Sequence, residues 1–143
     1  EEINQLIQRE IDRGIDPKHI VLMGFSQGAA MALHVGHRYP ESLNAIIVLS
    51  GYLLQPSMFE LEMSQANRLT PYYFYHGTRD LVVLLRRGEE AHDMTQALHR
   101  FTYWEDYPIG HEVCLEEIRH LRFLLHKRFF NIREGINSEK SKG

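Results

Sequence analysis

Ile3, Leu6, Ile7 and Ile11 recur at helical spacing with Glu, Gln and Arg between them, and Gly14 followed by Asp16-Pro17 supplies a stop. The spacing predicts an amphipathic helix over residues 1 to 13. The run Ile20-Val21-Leu22-Met23-Gly24-Phe25 is apolar on both alternating faces, the pattern of a strand buried on two sides, and it ends at a serine between glycines. From residue 27 to 39 the small residues Gly28, Ala29, Ala30 and Ala32 lie beside Met31, Leu33 and Val35, which suits a helix packed close against a sheet, and Pro40 closes it.

The rhythm then repeats. Residues 45–49 (AIIVL), 72–75 (YYFY) and 101–104 (FTYW) read as further strands, and residues 85–99 and 112–130 as further helices, the last with Leu115, Ile118, Leu121, Leu125 and Phe129 on one face. Strand alternating with helix implies an α/β fold, a mostly parallel sheet with flanking helices and right-handed crossovers. Residues 51–70 fall outside the rhythm as a long surface excursion, and residues 131–143 as a polar tail expected to be disordered. Residues 1–130 therefore read as one domain.

Composition narrows the function classes. With 143 residues there is material for one core. Sixteen Lys+Arg against nineteen Asp+Glu give a net charge of −3, so the cationic field that drives sequence-independent nucleic-acid binding is lacking. A single cysteine, Cys114, excludes an internal disulfide and a multi-cysteine zinc site, and fits a reducing, cytoplasmic setting. No apolar run reaches the roughly 18 residues of a membrane-spanning helix.

The segment 24–28, Gly-Phe-Ser-Gln-Gly, matches G-x-S-x-G and stands directly after an apolar strand and before a helix, the context this motif requires. Flanking glycines permit a sharp turn that lifts the Ser26 hydroxyl clear of the sheet, and the following helix aims its unpaired N–H groups and positive dipole end at any oxyanion formed there. The plainer alternative is a glycine-rich strand–helix junction with an incidental serine. A serine hydroxyl is a weak nucleophile at neutral pH and needs a base and an orienting carboxylate. Asp80 follows the third strand in His76-Gly77-Thr78-Arg79-Asp80, and His111 follows the fourth in 107–112. The order Ser, Asp, His is that of α/β-hydrolases, and all three would project from the carboxyl end of a parallel sheet. Taken singly, Asp80 reads as a solvated turn residue and His111 as a helix N-cap neighbour; the coincidence with Ser26 carries the argument.

At residues 24–29, at Leu49-Ser50-Gly51-Tyr52, in the 76–80 loop and at Gly110-His111-Glu112-Val113, the chain resembles the phospholipase/carboxylesterase family of small serine hydrolases, which includes acyl-protein thioesterases. The resemblance runs from about residue 15 to about residue 126. It implies an α/β-hydrolase fold without a large cap, no cofactor, and hydrolysis of carboxylic esters or thioesters, with a small-molecule acyl ester or thioester as substrate. By motif, Ser26 is the nucleophile, His111 the general base and Asp80 the residue that orients the imidazole. The N–H of Gln27, next after the nucleophile, is the expected oxyanion donor.

The resemblance also defines departures. A second oxyanion donor in this fold comes from a loop upstream of the nucleophile, and only 25 residues precede Ser26. The expectation is an N-terminally truncated member, short of roughly 75 residues. In such a chain the strand at 20–25 becomes a sheet edge with an apolar face, to be covered by an N-terminal segment or by another copy in a homo-oligomer. A non-catalytic fragment acting as an interaction module is the alternative function. Prolines common after the family's aspartate are replaced by Leu81 and Leu84, so the loop bearing Asp80 is expected to be less rigid. Tyr52, Leu53 and Leu54, in the excursion, are candidates for an acyl-binding pocket, or equally for a satellite hydrophobic cluster. His34 and His37, three apart on a helix, lack a further ligand at metal-binding spacing, so no metal is expected. Cys114 lacks the elbow of a nucleophile, and the aromatic run 72–75 reads as core before base-stacking platform.

Overall fold

The alternation of strand and helix appears in a computed structural model that describes residues 2–142, with side chains through residue 130. Two compact units divide the chain, Glu1–Glu112 and Val113–Gly143. The first runs α1 (Glu2–Asp12), β1 (Val21–Phe25), α2 (Gln27–Arg38), β2 (Ala45–Leu49), β3 (Tyr72–Gly77), α3 (Leu85–Leu98) and β4 (Thr102–Tyr107). Short 3-10 turns at Pro17–His19, Pro56–Met58 and Gln65–Asn67 occupy the connections. The second unit contains α4 (Leu115–Lys142). The tail expected over 131–143 lies outside the residues whose side chains are described.

All strand pairs are parallel and the order is β1-β2-β3-β4, so each strand neighbours the next in sequence. In-register pairs Ile46 with Tyr72 and Val48 with Phe74 put four large side chains on one sheet face, where Ala29 and Leu33 of α2, Ala91 of α3, and Leu53 and Phe59 of the excursion close the core. Tyr72 is fully buried, and Phe74 is nearly so, so the aromatic run is core.

A second cluster joins α1 to α2 through Ile7, Val35, Tyr39 and Leu43, with Ile3 and Ile11 packed against it. Positions 3, 7 and 11 thus form the buried stripe, and Leu6, expected on it, is 54% exposed. In α4 the least exposed positions are Glu117, Leu121 and Leu124, whereas Leu115 and Ile118 of the expected face are exposed. Heptad-like spacing alone did not fix the rotation of either helix.

The excursion between β2 and β3 is held by buried Asn67. Its amide oxygen accepts from Leu43 N–H at 2.8 Å and Thr70 Oγ1 at 2.8 Å, and its nitrogen donates to the carbonyls of Tyr39 and Glu41, both at 2.9 Å. One side chain thereby satisfies main-chain groups that a buried loop would otherwise leave unpaired.

β1 stands at one edge, and Met23 and Phe25 on it are 48% and 39% exposed. β4 stands at the other, with β1 and β4 about 14 Å apart from three inter-strand spacings. Loops leaving the carboxyl ends must therefore fold across the sheet for residues beyond β1 and β4 to meet.

Candidate active site

Ser26 is the residue at which β1 turns into α2, and it adopts φ 57°, ψ −118°. A non-glycine residue in this region is strained by about 1–3 kcal/mol and persists only where the surroundings impose it. Those surroundings are visible: Ser26 N–H donates to Leu49 O of β2 at 2.8 Å, and its carbonyl accepts from Ala30 N–H at 3.0 Å. Gly24 is needed because a Cβ there would run into the Gly28 carbonyl and the Ala29 nitrogen, the backbone of the oncoming helix. At Gly28 a Cβ would meet nothing within 4 Å and the φ is unremarkable. The sharp turn expected of both flanking glycines is thus taken by the serine itself, with Gly24 clearing the way.

A serine at a helix N-cap ordinarily accepts from the first-turn N–H groups. Ser26 makes no such bond; its Oγ lies 2.9 Å from His111 Nε2. The N–H groups of the first turn of α2, beginning with Gln27, have no acceptor inside the helix. His111 Nδ1 lies 2.7 Å from Asp80 Oδ2. Because a carboxylate only accepts, Nδ1 carries the hydrogen and Nε2 of the neutral ring is left to accept from the serine hydroxyl. The Phe25 ring, 4.8 Å from the His111 ring between centroids, backs the imidazole.

The Asp80 side chain is fully buried, which an unpaired carboxylate would not tolerate. Its Oδ1 accepts from Val82 N–H and Val83 N–H, each at 2.9 Å. Burial by itself would raise the Asp80 carboxyl, but the bonds from His111, Val83 and Val82 outweigh it and the group lies below its ordinary range. Leu81 and Leu84 in this loop are 87% and 38% exposed, while the backbone N–H groups of Val82 and Val83 between them hold the carboxylate.

Two loops converge to make this possible. Thr78 N–H donates to Tyr107 O at 2.8 Å and Arg79 N–H to Ile109 O at 3.0 Å, zipping the loop after β3 to the loop after β4. A Cβ on Gly77 would strike the carbonyls of Gly110 and Ile109, so glycine is required where the loops touch. The order of residues in the chain predicted that the three groups share one end of the sheet; their hydrogen-bonded contact depends on this zipper, which leaves no mark in hydropathy.

The remaining candidates are dispersed. Leu53 is buried in the core cluster with Phe59 and Leu33, the packing role that the sequence offered as the equal alternative to an acyl pocket. Leu54 borders a groove of about 690 Å³ lined by Gln5, Gln8, His34 and Arg38, on the α1–α2 side. Tyr52 lies under the Arg87 guanidinium, 4.3 Å from ring centroid to carbon. His37 is buried, with Nε2 on the Phe59 carbonyl and Nδ1 2.9 Å from His99 Nε2. Its ring nitrogens are occupied by these contacts.

Sequence reasoning missed two buried residues at the carboxyl ends of the strands. Ser50 has φ 53° and a buried hydroxyl without a partner among the described residues. His76 lies 2% exposed, with Nε2 2.8 Å from Val83 O. Both stand in quoted motifs, but only burial separates them from ordinary loop polars.

The parallel sheet with its flanking helices is an α/β-hydrolase fold, and comparison with known proteins agrees. The phospholipase/carboxylesterase family profile matches residues 1–128, and the chain belongs to that family. It is similar to acyl-protein thioesterase 1 of Gibberella zeae, 38% identical over 128 residues, covering 87% of this chain and 54% of the relative. A probable carboxylesterase SOBER1-like protein of Arabidopsis thaliana is 30% identical over 127 residues, covering 88% of this chain and 48% of that one. The crystal structure of Arabidopsis thaliana SOBER1 superposes with a TM-score of 0.83 at 26% identity, over 90% of this chain and 61% of that chain. The chain thus spans about half the length of the curated relatives it matches. Among the described residues, no helix is long and apolar enough to cross a membrane.

Proposed function

We propose that this protein is a serine hydrolase that cleaves carboxylic esters or thioesters through a covalent acyl-serine. Supporting the reading above all is the unbroken hydrogen-bonded series from Ser26 Oγ through the His111 ring to the Asp80 carboxylate, at 2.9 and 2.7 Å. Ser26 Oγ attacks the acyl carbon as its proton passes to His111 Nε2. Asp80, kept anionic by its hydrogen bonds from His111, Val82 and Val83, favours the imidazolium that forms and holds the ring in the tautomer that can accept.

Negative charge developing on the acyl oxygen is met by the opening of α2, with the Gln27 N–H as donor and the helix dipole aligned behind it. His111 then returns the proton to the departing alcohol or thiol. Water, deprotonated by the same nitrogen, attacks the acyl-serine and restores the hydroxyl.

A series of nitrophenyl esters of increasing acyl length, compared with nitrophenyl phosphate and an anilide, tests the reading. Hydrolysis confined to the acyl esters and abolished by Ser26→Ala is expected. Equal rates for wild type and Ser26→Ala, or preference for phosphate, would overturn it.

A further inference from the structure

We infer that His76 is a positioning residue for Asp80, acting through the carbonyl of Val83; the inference rests on the reading of Asp80 and His111 given above. The Val83 peptide is gripped from both ends. Its N–H donates to Asp80 Oδ1 at 2.9 Å, and its carbonyl accepts from His76 Nε2 at 2.8 Å. A carbonyl only accepts, so Nε2 of His76 bears the hydrogen, whatever the state of the other nitrogen. That same N–H lies 3.6 Å from Asp80 Oδ2, the oxygen bonded to His111, and adds positive potential there.

The ring itself is immobilised. Its Nδ1 edge lies against α3 at Gly88, where a Cβ would come within 2.5 Å of Nδ1 and 2.9 Å of Cε1. Trp104 of β4 lies nearly parallel to it, 10° between planes and 6.2 Å between centroids. Helix, strand and loop are therefore coupled through one imidazole to the peptide that fixes the carboxylate. Where the loop has Leu81 and Leu84, both pointing outward, this grip supplies the rigidity that side-chain restriction does not.

The test begins with the wild-type chain. Long-range ¹H–¹⁵N correlation of its histidines is expected to show His76 protonated at Nε2; a neutral ring protonated only at Nδ1 would overturn the inference without any variant. His76→Gln keeps a donor for the Val83 carbonyl, and His76→Phe removes it while retaining an aromatic ring against Trp104. In folded His76→Phe the downfield His111 Nδ1–H resonance is expected to broaden or vanish, and fluorophosphonate labelling of Ser26 to slow by about 10- to 100-fold. His76→Gln is expected to retain the resonance and most of the rate. A His76→Phe protein with an unchanged resonance and rate, or a His76→Gln protein as impaired as His76→Phe, would overturn the inference. Absence of labelling in the wild type would instead refute the hydrolase reading, while the tautomer and the His111 resonance still judge His76.

Discussion

The strain at Ser26 offers an inversion of an ordinary rule. Glycine in place of alanine normally destabilises a folded chain by roughly 0.5–1 kcal/mol, because glycine loses more backbone freedom on folding. Ser26 holds φ 57°, ψ −118°, a conformation costing a non-glycine residue about 1–3 kcal/mol. Ser26→Ala and Ser26→Gly both remove the hydroxyl and its contact with His111 at 2.9 Å, so that loss cancels between them. What remains is the released strain less the entropic penalty, leaving Ser26→Gly more stable than Ser26→Ala by about 1 kcal/mol, or about 3 °C in Tm for a chain of this size. Urea denaturation followed by circular dichroism, with calorimetry as a second probe, measures the difference. Equal stabilities, or the usual order with alanine ahead, would refute the claim that the serine itself carries the strained turn.

Other expectations follow from single features of the structure. Gly28→Ala, with open space for its Cβ and ordinary helical backbone, is expected to be neutral or to stabilise by up to about 1 kcal/mol, whereas Gly24→Ala, facing backbone atoms, is expected to destabilise by about 1–3 kcal/mol in the same denaturation assay. Burial lowers the His37 imidazole to about 4, against 6.5 unfolded. The unfolded chain therefore takes up a proton that the folded one refuses as pH falls from about 6.5 to about 4, and stability drops across that window by on the order of 3 kcal/mol. His37→Gln should flatten this part of the stability–pH curve; a curve unchanged by the substitution contradicts the assignment. Asp80→Asn cannot accept in the same way from His111 Nδ1–H and should reduce ester turnover by up to about 10⁴-fold with little change in Tm, a split that fails if activity survives.

Much of the architecture was legible because the chain's hydropathy changes period cleanly. Apolar runs at 45–49 and 72–75 are too short for helices and too continuous for exposed strands, and both lie in the sheet interior. The order Ser26, Asp80, His111 also put one candidate after each of three strands, so the shared end of the sheet could be inferred from topology alone. Two things could not be read. Helix rotation depends on the surface a helix packs against, so spacing alone puts Leu6 and Leu115 on buried faces although both are exposed. The grip on Asp80 is made by backbone N–H groups of Val82 and Val83 and by His76, and main-chain hydrogen bonds have no signature in side-chain type.

Covalent capture tests the central claim most directly. The intact chain, treated with a fluorophosphonate near neutral pH and digested, should carry the phosphonyl adduct on the peptide containing Ser26 and no adduct after Ser26→Ala. Labelling that survives Ser26→Ala, or a folded wild-type chain that takes up no reagent, would contradict the account of Ser26 as a nucleophile activated by His111 and Asp80.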